Sequence, residues 1–105
     1  MMAQFDVFTN PISRARRAYP LVAVLQADLA DTGRERIVAP LAPRARLEGS
    51  VGRMTPHVDI GGAGYVLLVP ALTAIHTEDL REHRGQLGRY RDEIVAALDF
   101  LFLGV

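Results

Sequence analysis

The sequence predicts a mainly β domain with one C-terminal α-helix. Short strand-like apolar runs recur from residue 3 to residue 75, with Gly and Pro breaking the chain between them. After His76 the apolar spacing changes, and from Gly88 it becomes helical. Together these imply five or more short antiparallel strands in a small barrel or sandwich, with a helix packed across it.

Each element has a local cause. Residues 3–9 alternate, with Phe5 and Val7 on one side and Gln4 and Asp6 on the other, which reads as a half-buried strand. Asn10-Pro11 breaks it, and residues 11–18 form a loop or hairpin tip carrying Arg14, Arg16 and Arg17. Residues 19–27 are rich in apolar and β-branched side chains and fit a strand buried on both faces. Asp31-Thr32-Gly33 is a turn, with Gly33 free to take positive φ. A short strand over 36–39 is expected to end at Pro40, and Pro43, Gly49 and Gly52 then leave room only for short pieces. Residues 57–60 and 65–69 flank the cluster Gly61-Gly62-Ala63-Gly64 and form the best hairpin signal in the chain. Pro70 ends the second run, and Leu72 to Ile75 offers a further strand. Tyr90, Ile94, Ala97, Leu98 and Leu101 then mark one helix face, with Leu87 as a hydrophobic staple and Gly104 as the stop. On this reading Asp92 and Glu93 lie too far into the helix to cap it but favour its N-terminal half.

The composition bounds the function. The chain has 105 residues, half of them apolar, which suits a single domain over 1–105 with one modest core. Twelve basic residues, all Arg, balance twelve acidic ones. A net charge of zero argues against binding nucleic acid through its phosphates alone, and it removes a barrier to self-association. The absence of cysteine excludes disulfides, thiolate metal sites and a cysteine nucleophile. Neither a secretory signal nor a membrane-spanning run is legible, so a small soluble cytoplasmic domain is expected.

Candidate chemistry is sparse. His57 lies near Asp59, and His76 and His83 surround Glu78, Asp79 and Glu82, but His76 and His83 share a face only in a helix that Gly85 and Gly88 disfavour. Ser13 and Ser50 lie in no nucleophile elbow, and Gly61-Gly62-Ala63-Gly64 is no phosphate loop. The acidic pairs Glu78-Asp79 and Asp92-Glu93 would need burial to act as acid and base. Arg14, Arg16 and Arg17 could hold a phosphate or an acidic peptide, or simply form an exposed polar tip. The least ordinary feature is the C-terminus. Leu98, Phe100, Leu101, Phe102, Leu103 and Val105 place apolar groups around every side of the last turns, interrupted by Asp99. A helix on a small core keeps one wet face, so a second apolar face implies a partner, either another copy or a different protein.

The strings Gln4 to Thr9, Ala27 to Arg34, Ile37 to Ala42, Pro56 to Ile60 and Ile94 to Val105, taken in order, resemble the CcdB family of toxin–antitoxin toxins. The resemblance implies an SH3-like barrel (the CcdB/MazF-like toxin fold) with an added small sheet, paired as a homodimer whose C-terminal helices meet at the axis. It implies binding, not catalysis, and no cofactor. The target would be the DNA gyrase A subunit, held with its DNA cleaved, and a cognate CcdA-like antitoxin with a disordered tail would release it. The implied target-binding residues are Asp99, Phe102, Leu103, Gly104, Val105 and Leu29. Arg14, Arg16 and Arg17 are the expected antitoxin contacts. The family's gyrase poisons end in Phe-Trp-Gly-Ile, whereas this chain ends in Phe102-Leu103-Gly104-Val105, without the indole's cation–π contribution. Asp99 stands where the family carries an amide. Two alternatives accompany this reading. One is a non-toxic dimeric module acting through the antitoxin on transcription. The other is an mRNA endoribonuclease using Arg14, Arg16 and Arg17 with Asp31 or His57.

Overall fold

The computed structural model describes residues 2–47 and 52–105, so Gly49 and Ser50 lie outside the described residues. The described residues form seven strands and one α-helix, joined in part by short 3₁₀ turns: β1 (Asp6–Thr9), β2 (Leu21–Val24), β3 (Glu35–Pro43), β4 (His57–Ile60), β5 (Ala63–Leu67), β6 (Thr73–His76), β7 (His83–Gln86) and α1 (Arg91–Leu103). All strand pairings are antiparallel, in the order β4-β5-β3-β2-β1-β7, and β6 joins the side of β3. The two ends of this path approach each other. A Cβ placed on Gly85 of β7 would stand 3.0 Å from Ile60 Cγ2 of β4, so the sheet curls towards a barrel. This agrees with the mainly β, single-helix fold expected from the sequence.

The central strands bury both faces. Val7, Leu21, Ala23, Ala39 and Leu41 join Ile94 and Ala97 of α1 in the main core. Their alternates Phe8, Val22, Val24 and Val38 meet Ile75 and Leu80 on the opposite face. Neighbours along one strand point to opposite faces, so each central strand feeds two cores. The expectation of a half-buried first strand is therefore corrected: β1 begins at Asp6, and Asp6, Val7 and Phe8 are all buried. Phe5, just before it, has φ +70°, an outlying value for a bulky residue. Two hydrogen bonds hold it there. Its N–H donates to Val24 O at 2.7 Å, and its C=O accepts from Leu87 N at 2.9 Å.

Pro40 does not end its strand. β3 runs on to Pro43, and Pro40 faces Val22 of β2. Ile37 C=O points at β2, where it accepts from Leu25 N, so by alternation Pro40 N and C=O point to the other edge. There β3 changes partner, from β6 over residues 35–38 to β5 over 41–43. A missing N–H costs no ladder bond at that junction, and Pro40 C=O still accepts from Leu68 N at 2.9 Å.

The hairpin is tighter than the glycine cluster suggests. Gly61 (φ +58°) and Gly62 (φ +83°) alone make the turn, both in the conformation a primed two-residue turn requires, while Ala63 and Gly64 already belong to β5. The expected turn at Gly33 (φ +85°) and the strand near Leu72 to Ile75 are present, the latter as β6. Strand β7 has no apolar alternation to announce it. His83, Arg84 and Gln86 are exposed on an edge, and Arg84 is the extra residue of a bulge opposite Val7 and Phe8. The helix starts at Arg91 after a 3₁₀ turn over Gly88–Tyr90, three residues later than the spacing implied. Asp92 and Glu93 consequently occupy its first turn, where carboxylates favour the helix dipole.

Candidate functional site

Helix α1 is pinned at one end and bare at the other. Ile94 and Ala97 are fully buried, and Leu98 and Leu101 pack against the same core at helical spacing. Phe100 is half-covered, with the Arg53 guanidinium 4.1 Å from its ring centroid. Past it the chain emerges into solvent. Phe102, Leu103 and Val105 are 67%, 71% and 73% exposed, with the exposed Asp99 one turn before Leu103. Gly104 closes the helix at φ +72° and donates its N–H to Phe100 O at 3.0 Å. Three apolar side chains thus stand free around the left-handed turn that closes α1. The second apolar face expected from the sequence is present and uncovered.

A second apolar projection comes from the β2–β3 connection. Leu29 lies in a 3₁₀ turn over Asp28–Ala30 and is fully exposed. The loop beneath it is tied down by polar contacts. Arg36 of β3 is 1% exposed and reaches under the loop, with Nη2 3.2 Å from Asp28 Oδ1 and Nη1 3.2 Å from Asp31 Oδ2. Arg36 Nη2 also donates to Gln26 O at 3.3 Å. Asp28 Oδ1 accepts from Gln4 N, and Asp31 Oδ1 accepts from Gly33 N, both at 2.8 Å. The Gln26 side chain accepts from Ile37 N and donates to Ala30 O. Sequence reasoning missed the burial of Arg36. Its signal was available in the strand alternation, because Arg36 shares a face with the fully buried Val38.

Arg14, Arg16 and Arg17 are exposed on one loop, around a 3₁₀ turn over Ser13–Ala15. They are not equivalent. Arg16 Nε donates to Asn10 O at 2.6 Å, Arg17 O accepts from the Arg46 guanidinium, and Arg14 is the middle residue of the 3₁₀ turn. The buried Asn10 braces the loop by donating to Tyr19 O and accepting from Ile12 N, both at 2.9 Å. The candidate RNA-cleaving groups do not assemble. Asp31 is committed to Arg36 and Gly33, while His57 lines a separate cavity of about 350 Å³ with Arg53, Tyr90 and Glu93.

His76 and His83 lie on β6 and β7, not on a helix. His83 Nε2 is 3.3 Å from the buried Asp6 carboxylate, which also accepts from Ala3 N and Gln86 Nε2 at 2.8 Å. Among the described residues no three metal-ligating side chains converge. The acidic pairs Glu78-Asp79 and Asp92-Glu93 are exposed. No helix among the described residues is long and apolar enough to cross a membrane.

A comparison with known families agrees with this architecture. The model described as CcdB protein matches residues 4–104, nearly the whole chain.

Proposed function

Because this chain belongs to the CcdB family of toxin–antitoxin toxins, we propose that it is a homodimeric toxin that binds the DNA gyrase A subunit. The dimer traps the enzyme on cleaved DNA, and a cognate CcdA-like antitoxin releases it. One observation carries this reading: the apolar, uncovered tip of Phe102, Leu103 and Val105, presented beyond a helix whose Ile94 and Ala97 are buried in the core. A tip of this kind offers desolvation on contact with a partner, and burying three such side chains contributes several kcal/mol, at about 1.5–3 kcal/mol each. Gly104 shapes the tip, and Asp99 supplies a carboxylate that can pair with a target arginine. Leu29 is the second apolar contact. Pairing of two α1 ends would cover the remaining apolar surface around Leu101 and Phe100. Arg14, Arg16 and Arg17 would receive the acidic side chains of the antitoxin's tail.

The activity is binding rather than catalysis, in keeping with the family. The test is a DNA-cleavage assay with the purified chain and gyrase from the same organism. Linear DNA accumulating with added protein, and vanishing when antitoxin is supplied, is the expected result. No cleavage and no binding to the A subunit would overturn the proposal. It would favour the non-toxic module acting through its antitoxin, a reading supported by Leu103 standing where the family's poisons carry Trp.

A further inference from the structure

We propose that Arg36 is the positioning residue for Leu29, drawing Asp28 and Asp31 together from below so that this leucine is presented, already ordered, to an apolar pocket of the partner. Two observations converge here. A guanidinium 1% exposed is costly to bury, yet it sits under a surface loop with both Nη atoms on carboxylates that flank Leu29. Its Nε has no hydrogen-bond partner, so the two Nη groups carry its attachment to the loop. The loop's polar groups are also cross-tied, through Gln4 N to Asp28, Gly33 N to Asp31, and Gln26 to Ala30 and Ile37. Leu29 is the exception, a large apolar side chain pointing wholly into water from a braced loop.

The physical consequence is preorganisation. Ordering a flexible loop on binding costs affinity, and a loop already held in its bound shape avoids that cost. Lys at position 36 could reach one carboxylate but not fork between two, because its ammonium is a point charge. The identity of the partner rests on the function proposed above, whereas the bracing of the loop does not.

The test compares the full-length chain with Arg36→Lys, Leu29→Ala and the double variant, measuring affinity for the gyrase A subunit and amide hydrogen exchange. Exchange at Gln4, Gly33 and Ile37 N–H is expected to quicken in Arg36→Lys while the Val7 and Ala23 amides stay protected. Each single variant is expected to weaken binding about tenfold, and the double variant by scarcely more than either, because a disordered leucine contributes little. A role for Arg36 in stability alone would lower the melting temperature and leave the cost of Leu29→Ala unchanged, which would overturn the proposal. Unchanged exchange at the three amides would overturn it too. If wild type does not bind the A subunit, the function proposed above fails, and the exchange measurement still decides whether Arg36 braces the loop. Should Arg36→Lys not fold, Gln26→Ala loosens the same loop without disturbing a buried charge. It is expected to show the same pattern at Gly33 and the same weakened binding.

Discussion

The Leu29 loop and the C-terminal tip both expose apolar side chains, but they are held in opposite ways. The loop is fastened from below by side-chain chemistry, with one buried guanidinium, two carboxylates and a bridging amide. The tip is fastened from behind by packing, through Ile94 and Ala97, and ends in one backbone hydrogen bond at Gly104. The 3₁₀ turn over Asp28–Ala30 buries none of its three residues, so polar side chains order it. A thirteen-residue helix has such a face, and one pinned half positions the other. The two projections should therefore fail under different substitutions.

The largest effect is expected in the loop. Asp28→Asn with Asp31→Asn leaves a buried cation without a counter-charge and should cost about 4 kcal/mol in urea unfolding. Arg36→Met should cost far less, about 1 kcal/mol, because the stranded carboxylates are 61% and 35% exposed and regain water. The reverse order would mean that Arg36 acts through packing and not through charge.

Next comes Ile94→Ala, which should cost about 3 kcal/mol by opening a cavity under α1. It should also quicken exchange along α1 while leaving the Gly33 amide slow. Loss of protection in both regions together would show that loop and tip are not independently held.

At the tip, Leu103→Trp should tighten binding to the gyrase A subunit about tenfold by restoring a π face for a target cation. No change in a protein that does bind would show that the tip is not the contact. The smallest effect belongs to Gly104→Ala. Holding φ +72° with a Cβ costs about 1 kcal/mol, which should lower the melting temperature by a few degrees and fray only the last turn.

Much of this was legible in the sequence, for reasons that can be stated locally. Val22 to Val24 are apolar without alternation, and the strand they form is buried on both faces. Gly61-Gly62 and Gly104 adopt the positive φ values their sequence positions require. The apolar ring around the last helical turns was readable as a face with no home in a small core. Elsewhere the local signal pointed the wrong way. Pro40 reads as a strand end because the sequence does not show that its missing N–H falls where β3 exchanges β6 for β5. Strand β7 gives no strand signal, because an edge strand with His83, Arg84 and Gln86 exposed needs no apolar period. Asp6 reads as the polar side of a strand, yet it is buried against Gln86 and His83, some eighty residues away along the chain.

By itself the sequence determined the mainly β fold with its closing helix, the positions of the tight turns, and an apolar C-terminus that a single small core cannot absorb. All of these follow from period, β-branching, and Gly and Pro conformational limits, which act over a few residues. Only the tertiary structure decided that Arg36 is buried, that it gathers Asp28 and Asp31 beneath an exposed Leu29, and that Arg16 and Asp31 are tied into their own loops. Those outcomes depend on which distant backbone covers a side chain and which opposite charge it meets there. Burial and pairing are properties of the assembled sheet, not of any stretch of chain.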